Sequence, residues 1–258
     1  MKEKTRILFL SANPWTTSRI RVDEEAREIF EKLQEGPCRD RFELYKHEAI
    51  RAIDLQRLLM MYEPHIVHFS GHGSKRKRII LGGAPGRGKE IKCQGLVEMF
   101  GLYRKHLRLV VLNACFTKEQ ARSLSEVIDY SIGTGRGIGD KGSVAFAGAF
   151  YRALGFGKTI KKAFDSAKAE LALTRVPRTK GIELFVRSDI SQTRRSQTRG
   201  VSSVTKTGLL PKMAIENSQR LKKRKHVRNG GGPLLTRSIW KFTTVLVSDG
   251  FYMFETSS

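Results

Sequence analysis

Two segments of the chain end in residues able to do covalent chemistry. His65-Ile-Val-His-Phe-Ser70 runs into Gly71-His72-Gly73, and Leu107-Arg-Leu-Val-Val-Leu-Asn113 runs into Ala114-Cys115. A cysteine thiol, with an ordinary pKa of about 8.5, is mostly protonated at neutral pH, and only the thiolate is a strong nucleophile. An imidazole beside it can take that proton and later return it to a leaving amine. The glycines around His72 let a backbone approach a bound peptide closely. The Gly73 amide, with that of Cys115, is then available to the oxyanion of a tetrahedral intermediate. Spacing alone leaves plainer roles open. A cysteine at a strand end serves as a small buried hydrophobe, and a histidine among glycines as a turn residue.

The elements that must position the pair follow from periodicity. Short apolar runs at 6–11, 41–47, 65–70, 79–81, 107–113, 130–132 and 182–186 read as strands. The run at 107–113 is nearly continuous, as in the middle of a parallel sheet. Helical spacing appears at 23–33, where Ala26, Ile29, Phe30 and Leu33 recur behind Asp23, Glu24 and Glu25 in the first turn. Further helices are expected at 53–62, closed by Pro64, and at 95–103, 118–128, 141–154 and 159–173. The 118–128 helix would begin just after Cys115, so its N-terminal dipole would favour a thiolate. Strands alternating with helices predict an α/β fold, a mostly parallel sheet flanked by helices on both faces. Ligands of such sheets bind beyond the carboxyl ends of the strands. Were the His72 and Cys115 strands neighbours, about 4.8 Å apart, the two side chains would face one crevice although 43 positions separate them.

Composition narrows the function classes. The 258 residues suffice for one domain with an appendage, and no apolar run approaches the ~20 residues of a membrane span. The apolar stretch at 7–10 is too short for a signal peptide, so a cytoplasmic protein without membrane contact is expected. Cys38, Cys93 and Cys115 are few, odd in number and widely spaced, which fits a reducing compartment; no CxxC pair supports a structural metal. The glycines at 82, 83, 86 and 88 do not form a phosphate loop, and Gly133-Thr-Gly-Arg-Gly137 is weak as a nucleotide signal, so neither metal nor cofactor is expected.

The formal net charge is +23. Residues 188–258 carry 13 Lys and Arg against 4 Asp and Glu, including the cluster Lys222-Lys-Arg-Lys225. The texture changes near residue 187, so 1–187 reads as the catalytic domain and 188–258 as a basic, largely disordered extension. Its stretch 238–254 is apolar and aromatic and could instead pack as an added strand. A protein ending near Arg187 is expected to stay folded. The tail is expected to supply any non-specific, salt-sensitive nucleic-acid affinity.

The segments His68-Phe-Ser-Gly-His-Gly73 and Val111-Leu-Asn-Ala-Cys115 closely resemble the two signature motifs of the CHAT domain family, caspase-like peptidases related to separases. The stretches Ile7-Leu-Phe-Leu-Ser-Ala-Asn13, Arg21-Val-Asp-Glu-Glu25, Asp129-Tyr-Ser-Ile-Gly133, Ile138-Gly-Asp140 and Ala145-Phe-Ala-Gly-Ala-Phe-Tyr151 look like the same family, in order, over about residues 5–187. The resemblance implies a caspase-like fold and a cysteine endopeptidase acting on a protein substrate, with His72 as general base and Cys115 as nucleophile. His68 is then structural. It further implies a regulated role in defence or stress signalling, with control by a partner protein. An S1 pocket would draw on the loop after the first strand and the segment after the catalytic strand, here Asp23, Asn113 and Asp140. Two acids without a partner arginine would favour a basic P1 side chain; helix capping is the plainer role for Asp23. The sequence departs from the family at Phe116-Thr117, where Tyr-Ser is frequent, and in the basic loop holding Lys75, Arg76, Lys77, Arg78 and Arg87. Competing readings are a caspase-like binding or signalling module without turnover, and a nucleic-acid-associated protein acting through the basic tail.

Overall fold

The computed structural model describes residues 3–14, 21–83, 87–135, 139–176 and 181–190, with the backbone of 242–247 and 250–255. The chain divides into two units, Met1–Val204 and Thr205–Ser258.

The first unit is built on strands β1 (Thr5–Ala12), β2 (Phe42–His47), β3 (Ile66–Gly73), β4 (Ile79–Gly82), β5 (Gly88–Glu90), β6 (Leu109–Asn113), β7 (Tyr130–Thr134) and β8 (Ile182–Val186). Its helices are α1 (Val22–Gln34), α2 (Asp54–Tyr62), α3 (Cys93–Leu102), α4 (Lys118–Leu124), α5 (Asp140–Gly155) and α6 (Ile160–Leu173). The main sheet runs β2-β1-β3-β6-β7-β8. Every pairing in it is parallel except the antiparallel β7–β8 edge.

Strand alternation divides the apolar residues between two cores. Ile7, Phe9, Ile66, Leu109 and Val111 pack under α1, α5 and α6, against Ala26, Ile29, Phe146, Phe150 and Ala163. Leu8, Leu10, Val67, Phe69, Val110 and Leu112 face α2, α3 and α4 on the other side, against Leu58, Leu59, Phe100 and Leu124. All five residues of β6 are buried, as its unbroken apolar run requires.

Three local readings differ from the structure. The strand expected at 65–70 extends to Gly73, because His72 and Gly73 pair antiparallel with Ile80 and Ile79 of β4. The three-residue β5, too short to carry a period, completes that hairpin. The helix expected at 118–128 stops at Leu124, where the bonds tighten to Glu126 N–H···O Ser123 and Val127 N–H···O Leu124, both 3.1 Å. The Ser125 hydroxyl donates to the Arg122 carbonyl at 2.6 Å, a side-chain competitor for the helical ladder.

Beyond the boundary expected at 187/188, residues 188–190 are described, in helical conformation; the disorder expected over the rest of 188–258 lies outside the described residues, apart from one feature. Strands β9 (Phe242–Val247) and β10 (Gly250–Glu255) form an antiparallel hairpin within the second unit. Among the described residues, no helix is long and apolar enough to cross a membrane.

Candidate active site

Strands β3 and β6 pair with a constant offset of 43 residues, from Ile66 with Leu109 to Ser70 with Asn113. The same offset carries His72 to Cys115. Counting by two from buried Ile66 and Leu109 puts Ser70, His72 and Asn113 on the α1/α5 side of the sheet, and Cys115 follows in the turn that leaves β6. A cavity of about 160 Å³ opens there. Ser70, Gly71 and His72 line it from β3, Asn113, Ala114 and Cys115 from β6 and its following turn, Arg21, Val22 and Glu25 from the start of α1, and Gly139, Asp140 and Ser143 from the start of α5.

At the mouth the two strand ends nearly touch. A Cβ built on Gly73 would lie 1.6 Å from the Cys115 carbonyl oxygen and 2.7 Å from its carbon. Only glycine permits this approach. The turn that presents Cys115 is held from behind. The buried Thr117 hydroxyl donates to the carbonyls of Leu112 and Ala114, both at 2.9 Å, and accepts from the Thr134 amide at 3.1 Å. The Ala114 amide bonds to Leu112 O at 2.9 Å. None of these bonds uses the Cys115 amide. Phe116 follows at φ 60°, a left-handed conformation that bulky residues adopt only under constraint. The departure at Phe116-Thr117 thus keeps the hydroxyl that ties the turn.

Beneath the mouth lies a buried polar network. The Glu25 carboxylate, 2% exposed, accepts from His68 Nε2 at 2.6 Å, Ser70 Oγ at 2.7 Å and Asn113 Nδ2 at 2.5 Å. His68 Nδ1 meets the Tyr151 hydroxyl of α5 at 3.1 Å. Burial, and then the Glu25 charge, raise the Tyr151 pKa well above its ordinary value. Tyr151 therefore stays protonated, and His68 Nε2 donates to the Glu25 carboxylate. His68 also stacks on Phe9, ring centroids 5.4 Å apart. It is a fully buried strut, the structural role that the family resemblance implied for it.

Of the S1 candidates, Asn113 and Asp140 line the cavity and Asp23 does not. The Asp23 side chain is 72% exposed and lies 3.9 Å from Lys46. Two positions along an α-helix are about 200° around it, so with Glu25 turned inward Asp23 must face solvent. Glu25 is the acid that sequence reasoning passed over. The signal was present: Val22, Glu25, Ala26, Ile29 and Leu33 form one helical stripe, and all five are buried. Arg21 also lines the cavity, held by Glu24 at 2.9 Å. That bond, with a smaller contribution from Asp140, raises the Arg21 pKa. The lining therefore carries Glu25 and Asp140 against Arg21.

This strand order belongs to a caspase-like α/β architecture. A secreted C11 cysteine protease from Bacteroides thetaiotaomicron, solved with an irreversible peptide inhibitor, matches it with a TM-score of 0.53 at 14% identity, over 75% of this chain and 69% of that one. Residues 9–180 match the CHAT domain family, and the chain belongs to it. Two curated relatives are similar. A Roc-COR-CHAT protease from an unknown prokaryotic organism is 25% identical over 179 residues, 67% of this chain and 17% of the relative. A probable protease from Gillisia limnaea is 27% identical over 158 residues, 57% of this chain and 26% of the relative. The chain thus spans about a quarter or less of their lengths.

Proposed function

We propose that the CHAT domain of this chain is a cysteine endopeptidase with His72 as general base and Cys115 as nucleophile. The observation that carries this reading is that both residues line one cavity, His72 from the end of β3 and Cys115 from the turn after the neighbouring strand β6. The protease names of both relatives support it. His72 takes the thiol proton, and the thiolate adds to the scissile carbonyl. The oxyanion accepts from the amides of Gly73 and Cys115. The imidazolium protonates the leaving amine; water, deprotonated by the same imidazole, then hydrolyses the thioester and restores the thiol. An irreversible thiol-directed peptide probe should label the wild-type protein at Cys115. Cys115→Ala should abolish labelling and turnover, and His72→Ala should reduce both to near background, each with a cooperative thermal transition retained. Wild-type turnover by purified Cys115→Ala would refute the assignment.

The lining supports a basic P1 residue. Asn113 offers a polar wall, and Asp140 and Glu25 outnumber Arg21, which is already bound to Glu24. A P1 Arg or Lys would make a charge-assisted bond to Asp140. Asp140→Ala is expected to lower kcat/KM for a basic-P1 peptide about tenfold while leaving stability nearly unchanged, since the residue is exposed. A peptide library cleaved after acidic or apolar residues would contradict this preference.

We further propose that the activity serves a regulated defence or stress-signalling system, under a regulatory protein partner. One relative's name joins CHAT to Roc and COR, and both relatives far exceed the matched segment, which supports control by accompanying domains. Probe labelling of the isolated chain that no added protein accelerates would count against such control.

A further inference from the structure

We infer that the β3–β4 hairpin is a primed-side subsite that selects acidic residues C-terminal to the scissile bond, through Arg76 and Arg78. The inference rests on the endopeptidase reading above. His72, which protonates the leaving amine, must stand on the side of the scissile bond from which that amine departs. The departing segment of substrate therefore crosses the end of β3 and meets the hairpin that continues from it.

The hairpin geometry directs two guanidinium groups to that path. His72 pairs with Ile80 and Gly73 with Ile79, and the turn closes with Ser74 N–H···O Arg78 at 2.8 Å and Lys77 N–H···O Ser74 at 2.9 Å. Directly opposed residues of an antiparallel pair share a face, and so do residues two apart on one strand. Arg78, two before Ile80, thus lies on the face that carries His72. Its side chain is 37% exposed, and that of Arg76 at the tip is 79% exposed.

The two arginines share a single carboxylate. Arg78 Nη1 is 3.6 Å and Arg76 Nη1 3.9 Å from the same Glu90 Oε2, beyond hydrogen-bonding distance. Two positive charges against one negative leave an excess, and two donor forks leave room for a second carboxylate. Lys77 differs: it reaches Glu119 of α4 at 2.8 Å and pins the turn beside the element that follows Cys115. The cavity has the opposite balance, Glu25 and Asp140 against Arg21. A polyanion such as nucleic acid, laid along the hairpin, would run into those carboxylates. A peptide with a basic residue in the cavity and acidic residues beyond the cleaved bond complements both surfaces.

The test uses the full chain and three substrates with one basic P1 sequence. Two are internally quenched peptides, with Asp/Glu or Asn/Gln at P2′–P4′; the third is a coumarin amide with no primed residues. Wild-type protein is expected to cleave the acidic-primed peptide with a kcat/KM about tenfold above the neutral one. The difference should collapse at about 1 M salt, where the screening length is about 3 Å. Arg76→Gln/Arg78→Gln should erase the difference and the Glu double variant invert it. Coumarin release should stay within about twofold of wild type in both. Glu90→Gln, which leaves both arginines without their shared acid, should widen the difference. Coumarin release without primed-side discrimination would overturn the subsite alone, as would equal loss on all three substrates in the Gln variant. An oligonucleotide that binds wild type and not the Gln variant, with no peptide discrimination, would assign the hairpin to nucleic acid instead. No coumarin release and no probe labelling of Cys115 would overturn the endopeptidase reading itself.

Discussion

Gly73→Ala is expected to reduce peptide turnover by about a hundredfold or more while the chain still folds. The added methyl would sit 1.6 Å from the Cys115 carbonyl oxygen, and the three nearest atoms are all backbone of the residue proposed as nucleophile. No flexible side chain can yield, so β3 and the Cys115 turn must part by an amount on the order of 1.5 Å to restore an ordinary contact. The turn resists, because Thr117 ties it to Leu112, Ala114 and Thr134. Overpacking of this kind costs about 1–3 kcal/mol of stability. A misplacement of about 1 Å between reacting groups costs about a hundredfold in rate. Gly95→Ala in α3 is the control: nothing lies within 4 Å of the new methyl, and a helical alanine should be neutral or add up to about 1 kcal/mol. Denaturant titration and single-turnover kinetics on both variants measure the two effects. Wild-type turnover by Gly73→Ala would show that the approach of the two strand ends is not needed for chemistry.

The second large effect is expected at Glu25. Glu25→Ala removes the acceptor of the His68 and Ser70 donors, 0% and 2% exposed, and leaves Asn113 Nδ2, on a residue 5% exposed, only the Ser143 carbonyl at 3.2 Å. Removing one partner of a buried charged network typically costs about 3–5 kcal/mol, a large part of the 5–15 kcal/mol that holds a domain together. Turnover should fall with it, since Ser70 and Asn113 each stand two residues before the proposed catalytic pair on the strands that carry them. Glu25→Gln separates shape from charge. Its amide oxygen can keep His68 and Asn113, and its NH₂ can donate to the Ser70 hydroxyl, which accepts as readily as it donates. The loss of stability should then be about 1–2 kcal/mol, while discrimination in kcat/KM between basic and neutral P1 peptides shrinks. Urea unfolding of the two variants and the two-peptide comparison read these separately. A Glu25→Ala protein within about 1 kcal/mol of wild type would mean that the network contributes little to the fold.

Local order in the chain made much of the fold readable. The unbroken apolar run at 7–10 reports burial on both faces of its strand, and the stripe Ala26, Ile29, Leu33 reports burial on one side of its helix. Both motif-bearing strands run into small residues at the carboxyl end of a parallel sheet, which marks that end as the site, but that the two strands are neighbours was only a condition in the sequence, met by the pairing of β3 with β6.

What escaped sequence reasoning depended on contacts between distant segments. The reversal of β8 against β7 is a choice of edge pairing that Ile182–Val186 does not encode by itself. The exchange of Asp23 for Glu25 turned on which side of α1 faces the sheet. A stripe of four apolar residues already marked that side, but a carboxylate on it reads as an error until its donors are known. Those donors come from β3 and β6, 43, 45 and 88 positions away, and Tyr151, which orients His68, lies 83 positions beyond that histidine. A side chain's period tells whether it is buried. Whether a buried polar group is satisfied depends on which donors the packed helices and sheet bring within about 3 Å of it, and only the tertiary structure decides that.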